Sequence, residues 1–283
     1  MIPTVANMPS ITDNLESWLG RSTNSEATLD VSQANRMAVT LDHNPTFQTG
    51  EPLPPAWHWL YFHDFIKASD LGQDGHPKLG LILPPVPLPK RMWAGGSFVF
   101  HAPLRLGDKI QRTSVVRSIT AKEGRSGLLY FVVIEHTLAT SGVLNLVEEQ
   151  TIVYRDLASE TQVSKAQPAP TDADYRQEYT LNSTALFRYS ALTFNGHRIH
   201  YDVDYCRTVE GYPNLVIHGP LVATLLLDLY VQQQRSLHWF RYRAKSPLFL
   251  PHSFMVNGKS AGENTQLWAS NHEGGLAMEA EAG

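Results

Sequence analysis

One cysteine, Cys206, is all that the 283 residues contain. No disulfide can form within such a chain, and a reducing compartment suits it. Long apolar runs are missing as well: none approaches the ~20 residues that a membrane helix needs. No N-terminal stretch joins basic residues to an apolar segment as a secretion signal would. The expectation is a cytoplasmic protein with no membrane partner. Charge of one sign is also lacking, since 23 Lys and Arg against 27 Asp and Glu leave a net −4. That balance gives no electrostatic footprint for nucleic acid. No Cys, His and carboxylate cluster has metal-ligand spacing, and no nucleotide fingerprint appears, so no metal or cofactor is expected.

What is present is organised in two halves. The stretch 157–175 is polar, holds two prolines and has no apolar period, which marks a linker. It separates an expected N-terminal unit, 1–160, from a C-terminal unit, 175–283. The halves echo each other. "SFVFHAPLRLGD" (97–108) and "RYRAKSPLFLPH" (241–252) each place a strand-like run before Ala/Ser-Pro-Leu-x-Leu, 144 positions apart. Strand-like runs follow both copies, at 127–140 and 144–155 in the first half and at 264–271 and 276–282 in the second. "GPLVATLLLDLYVQQQ" (219–234) is apolar on nearly every face yet too short to cross a bilayer, so it should be a helix buried on most sides. "PPAWHWLYFHDFIKA" (54–68) is its expected counterpart, with Pro54 and Pro55 able to start a helix. The Pro-rich run 79–96 between it and the first strand reads as an ordered loop over the surface or a groove. A curved antiparallel sheet wrapped around one helix, present twice, satisfies these patterns: an α+β fold.

The chemistry gathers in 194–220, "FNGHRIHYDVDYCRTVEGYPNLVIHGP". Gly219-Pro220 has the composition of a helix start, where Pro loses nothing by lacking an N–H. The Gly219 amide would sit at the positive end of a buried helix, placed to stabilise negative charge on a carbonyl oxygen. His200 can take and give a proton near neutral pH, and Asn195 can orient a water without titrating. Arg198 and Arg91 are candidates for pairing with a carboxylate or phosphate. Trp93 would line a groove beside Arg91. His197 either takes part in proton transfer or packs, His218 fixes the loop that presents Gly219, and Asp202 braces that loop.

The segment resembles the MaoC-like, or hydratase 2, family of hot-dog enoyl-thioester hydratases and dehydratases. His200, Asp202 and the later His218-Gly219 match the family's signature, and Gly211-Tyr212-Pro213 resembles its approach to that step. The wording "TFNGHRIHYD" with "PPVPLPKRMWAGG" is similar to the subgroup of itaconyl-CoA or mesaconyl-C4-CoA hydratases and the mitochondrial 3-hydroxyacyl-thioester dehydratase. The resemblance implies a double hot-dog fold and a hydro-lyase acting on a CoA thioester, either as a hydratase of a short branched dicarboxylyl-CoA or as a fatty 3-hydroxyacyl-thioester dehydratase. With the resemblance, Asn195, His200 and Gly219 are the expected catalytic groups; His197, Arg198, His218, Arg91 and Trp93 are the expected substrate-binding candidates, and a homodimer is among the expected partners. The family's catalytic Asp falls on Asn195, so His200 is left as the main proton carrier. The first half has no counterpart to the motif, which implies one site per chain. A hot-dog thioesterase and an acyl-CoA sensor are the other readings of the same fold.

Overall fold

The computed structural model describes residues 15–124, 127–156, 166–233 and 235–283. Ten strands form one continuous antiparallel sheet. In chain order they are β1 (Ser22–Thr28), β2 (Lys90–Phe100), β3 (Lys109–Gly124), β4 (Gly127–Thr140), β5 (Val143–Arg155), β6 (Tyr175–Tyr179), β7 (Trp239–Ala244), β8 (Phe254–Ala261), β9 (Asn264–Asn271) and β10 (Leu276–Ala282). The order across the sheet is β1-β3-β4-β5-β2-β7-β10-β9-β8-β6, so the halves are related by a pseudo-twofold axis between β2 and β7. Gly95 faces Arg243 and Val99 faces Trp239 across that seam. The two expected sheets are therefore joined edge to edge, which removes one exposed edge from each.

The 144-residue offset survives in the hydrogen bonds. In the first half, the Leu53 and Leu106 amides donate to the Leu104 and Glu51 carbonyls (2.7 and 2.9 Å). In the second, the Ile217 and Leu250 amides donate to the Leu248 and Leu215 carbonyls (2.8 and 3.0 Å). Each Pro-Leu-x-Leu segment thus pairs with the stretch that precedes a central helix or its remnant. Each half also opens with a strand and a side-chain-capped helix. Helix α1 (Val31–Thr40) is capped by Asp30 and α2 (Ser183–Thr193) by Asn182, each accepting a backbone N–H at 3.0 Å.

Helix α3 (Gly219–Val231) is the core of the second half. Pro220 sits in its first turn, and Leu221, Leu225, Leu226 and Leu227 are all buried against β7–β10 and β2. Truncating one of these leucines should cost about 2–5 kcal/mol. The first half departs from the expectation at this point. Instead of a helix over 54–68, only a single 3₁₀ turn forms, Trp57–Leu60. Ala56 takes a left-handed conformation (φ 66°), which breaks the helical path at its start, and Tyr61 (φ −120°) leaves it. Trp57 and Leu60 are buried, while the His58 and Trp59 side chains both bind Glu148 of β5 (2.8 and 2.9 Å). The loop over 79–96 is likewise shorter than expected, because Lys90 already begins β2 and only the stretch up to Pro89 is irregular. Of the expected linker 157–175, residues 157–165 lie outside the described residues, and Tyr175 begins β6. No helix of the described chain is long and apolar enough to cross a membrane.

With no long helix under its sheet, the first half leaves space. A cavity of about 820 Å³ runs beneath β2–β5 and reaches the start of α3. The long strands of this half (16, 14 and 13 residues for β3–β5, against 8, 8 and 7 for β8–β10) form its roof.

Candidate active site

Helix α2 ends with Phe194 in a left-handed conformation (φ 53°), and the Asn195 amide donates back to the Ser190 carbonyl at 2.8 Å. The chain then turns tightly, because the Asn195 Oδ1 accepts the His197 amide at 3.0 Å. One 3₁₀ turn, Arg198–His200, brings His200 beneath the approach to α3. Its Nδ1 lies 2.7 Å from the Val216 carbonyl, an acceptor only, so Nδ1 carries the proton. The Nε2 lone pair then points away from the backbone, and His200 lines the cavity.

Burial pulls the His200 imidazole down to about 4, which keeps it neutral at physiological pH and leaves the Nε2 lone pair unprotonated. His76 is pulled to about 3, by burial and then by the charges of Arg91 and His200. His197 and His218 are held well below the ordinary value, by burial first and then by neighbouring imidazoles. The four rings form a cluster. His200 stacks on His218 with centroids 3.6 Å apart, and His197 stands edge-on to His200 at 5.6 Å and tilted against His76 at 4.5 Å. His218 is fully buried and its Nε2 lies 2.8 Å from the Ser190 Oγ, so it ties α2 to the start of α3.

Gly219 opens α3, and its amide finds no acceptor among the described residues. Pro220 contributes no N–H, and of the two first-turn donors without an acceptor among the described residues, Gly219 and Leu221, Gly219 is the one whose residue lines the cavity. A methyl group built on Gly219 would meet only the Trp93 carbonyl, at 4.0 Å. The fold itself therefore does not require glycine here. What needs the space is whatever approaches the amide.

Asn195, His197, His200, Gly219, Arg91 and Trp93 all line the cavity. Arg198 and His218 are not among its lining residues. Arg198 turns outward, donates to Asp202 at 2.7 and 3.0 Å, and lies over the Tyr205 ring at 4.2 Å. Asp202 caps the next turn by accepting the Tyr205 amide (2.9 Å) and so braces the loop as expected. Arg91 is engaged by Asp74 at 2.9 Å and by the Pro77 carbonyl at 2.9 Å.

Sequence reasoning missed the first-half loop that clamps this segment. The Arg198 amide donates to the Asp74 carbonyl (2.9 Å), and its guanidinium reaches the Gln73 carbonyl (3.1 Å). Gly75 and Gly196 meet backbone to backbone. The only signal was the turn composition of "LGQDGHP" at 71–77, which marks a tight loop but not what it touches.

A helix-start amide and a neutral imidazole lining one cavity between the two halves suit the chemistry of a thioester hydro-lyase. The comparisons agree. The family model for hydroxyacyl-thioester dehydratase type 2 matches residues 56–250, and the chain belongs to that family. It is 40% identical over 272 residues to the mesaconyl-C(4)-CoA hydratase of Chloroflexus aurantiacus, covering 93% of this chain and 95% of that one. It is 26% identical over 243 residues to the mitochondrial hydroxyacyl-thioester dehydratase type 2 of Schizosaccharomyces pombe, covering 76% and 80%. Among solved structures, a MaoC-like dehydratase from Phytophthora capsici superposes with a TM-score of 0.72 at 16% identity, covering 95% and 97% of the two chains. A Mycobacterium tuberculosis protein described as having a double hotdog fold superposes with a TM-score of 0.57 at 11% identity, covering 93% and 96%. The fold is the double hot-dog, and the protein is an enzyme of the hydratase–dehydratase class.

Proposed function

We propose that the protein adds water across the double bond of a short branched dicarboxylyl-CoA to give citramalyl-CoA, with mesaconyl-C4-CoA, whose double bond is conjugated to the thioester as enolate formation requires, the first candidate and itaconyl-CoA the second. The observation that carries the chemistry is that Gly219, whose amide has no acceptor among the described residues, lines the same cavity as His200, whose Nδ1 is fixed on Val216 and whose Nε2 has no partner among the described residues. The Gly219 N–H polarises the thioester carbonyl. His200 Nε2 takes a proton from a water held by the Asn195 side-chain amide, and the water oxygen bonds to the β-carbon. The electron pair of the double bond moves into the thioester enolate, which the same amide stabilises. His200 then returns its proton to the α-carbon, so one water is added and the base is regenerated.

The identity to the Chloroflexus aurantiacus hydratase supports the substrate, since it extends over nearly all of both chains. A second reading, dehydration of fatty 3-hydroxyacyl thioesters, runs the same steps in reverse. It draws on the resemblance to the yeast-type dehydratases. In either reading the first half walls the cavity while the second carries the catalytic groups, with one site per chain. Loss of enoyl-thioester absorbance with mesaconyl-C4-CoA, crotonyl-CoA and trans-2-decenoyl-CoA tests the choice. Fastest turnover of the decenoyl thioester would favour the second reading, and release of free thiol without hydration would make the protein a thioesterase.

A further inference from the structure

The cavity has two ends of different character. At the start of β2, Lys90 faces Arg155 across the ladder to β5, and Lys245 follows β7 at the same end. Met92 and Leu81 are exposed there. Lys90 is buried and pairs with Glu210 (3.4 Å), and Lys245 pairs with Glu279 (2.6 Å), so neither is a free cation. The solvent opening at this end suits the CoA carrier, and the acyl group then points the other way. In that direction Trp93 touches Trp59 with ring centroids 5.0 Å apart, and Trp59 leads to Glu148. The wall beyond is polar. His136 lies 2.7 Å from Ser114 and 3.2 Å from Gln150, and the buried Glu148 accepts from both His58 and Trp59.

These wall groups satisfy one another, whereas Arg112 beside them is left with unpaired terminal nitrogens among the described residues. Arg112 sits in the row Arg112–Leu138–Leu146–Phe100, towards the far end of β2 from Lys90. Its Nε donates to the Ser25 Oγ (3.1 Å) and its guanidinium lies 4.8 Å from the centre of the Phe62 ring. Its nearest carboxylate oxygen, on Asp64, is 3.9 Å away and half-exposed. Among the described residues neither terminal nitrogen makes a hydrogen bond, although the side chain is mostly buried and lines the cavity. The other arginines are placed differently. Arg91 is held by Asp74, Arg155 lies at the opposite end of the cavity, where it reaches the Tyr212 hydroxyl (3.5 Å) and keeps a buried Nε without a partner among the described residues, and Arg21 lies over the Trp18 ring near the surface.

We propose that Arg112 is the subsite for a carboxylate at the end of the acyl group. An alkyl terminus would bury its open fork without a partner, whereas a carboxylate would accept from both terminal nitrogens. This rests on the hydratase reading and narrows it to acyl groups that carry a second acid.

The test compares matched pairs of substrates: mesaconyl-C4-CoA with crotonyl-CoA, and the six-carbon trans-2-enedioyl-CoA with trans-2-hexenoyl-CoA. For Arg112→Gln, the kcat/KM ratio of acid to plain thioester should fall by about tenfold or more in at least one pair, with the plain substrates little changed. Ratios unchanged in both pairs would overturn the proposal. Equal loss on all four substrates would overturn it too, since Arg112 would then serve the CoA moiety or the fold. Asp64→Asn, at a half-exposed position, provides a second reading should the Gln variant not fold. Removing the competing carboxylate should lower KM for the acid substrates alone, and an unchanged KM would count against the subsite. Failure of the wild type to hydrate any of the four would instead overturn the hydratase reading itself.

Discussion

A methyl group on Gly75 would lie 1.9 Å from the carbonyl oxygen of Gly196, so the two backbones touch with no room for a side chain. Gly75 also sits at φ +86°, a conformation that costs an L-residue about 1–2 kcal/mol. Through this contact the first half holds the loop that carries Asn195, His197 and His200. Gly75→Ala must therefore displace that loop. The expected result is a loss of kcat on the order of tenfold or more, with a melting temperature lowered by only a few degrees. Wild-type kinetics in a folded Gly75→Ala protein would show that the clamp does not set the catalytic geometry.

Gly219 separates fold from chemistry. A side chain there meets only the Trp93 carbonyl at 4.0 Å, so Gly219→Ala should fold with near-normal stability. A methyl group beside the amide would still crowd a thioester oxygen, and loss of such a donor costs about 10²–10³-fold in kcat. Circular dichroism and steady-state kinetics on the same sample check both halves of the expectation.

Stability should depend on pH through the buried imidazoles. His76, His197, His200 and His218 are held below the ordinary value of 6.5 in the folded protein, with His200 at about 4. Between those limits the unfolded chain binds protons that the folded chain does not. Stability is therefore fully present above pH 6.5 and declines as pH falls towards 4. His200 alone should contribute on the order of 1–3 kcal/mol to that decline. Melting curves at pH 7.5 and 5.0 measure it, and equal midpoints would contradict the neutral cluster.

Asn195 can be probed without breaking its turn. In Asn195→Asp a carboxylate oxygen can still accept the His197 amide, but the new anion favours the imidazolium and should raise the His200 pKa from about 4. The acid limb of the kcat/KM profile should move to higher pH. Asn195→Ala, which loses both the turn and the side-chain amide, should instead lower the rate at every pH. Superimposable profiles for wild type and Asn195→Asp would place residue 195 outside the proton-transfer shell.

The strands and the buried helix were legible in the sequence because their signals are local. β4 alternates buried Val132, Ile134, His136 and Leu138 with partly exposed neighbours, and α3 has Pro220 in its first turn. The 144-residue echo also disclosed the duplication. What was not legible depends on partners far along the chain. "PPAWHWLYFHDFIKA" has the apolar content of a helix, yet Glu148, some ninety residues away, takes both His58 and Trp59 and only the 3₁₀ turn Trp57–Leu60 forms around them. Arg91 and Arg198 looked available for substrate because nothing near them in sequence shows that Asp74 takes the first; Asp202, which takes the second, is only four residues on. Arg112 gave no signal, since in sequence it is one more basic residue on an amphipathic strand.

The account turns on His200 as the neutral base, and one measurement reaches it directly: kcat for mesaconyl-C4-CoA hydration by the wild type and by His200→Ala, with a melting curve for each. His200 contacts the Val216 carbonyl and its ring stacks on His218, so the variant should lose some stability but remain folded. The account predicts a drop of about 10²–10⁴-fold in kcat. A folded His200→Ala protein that hydrates the substrate at close to the wild-type rate would contradict it.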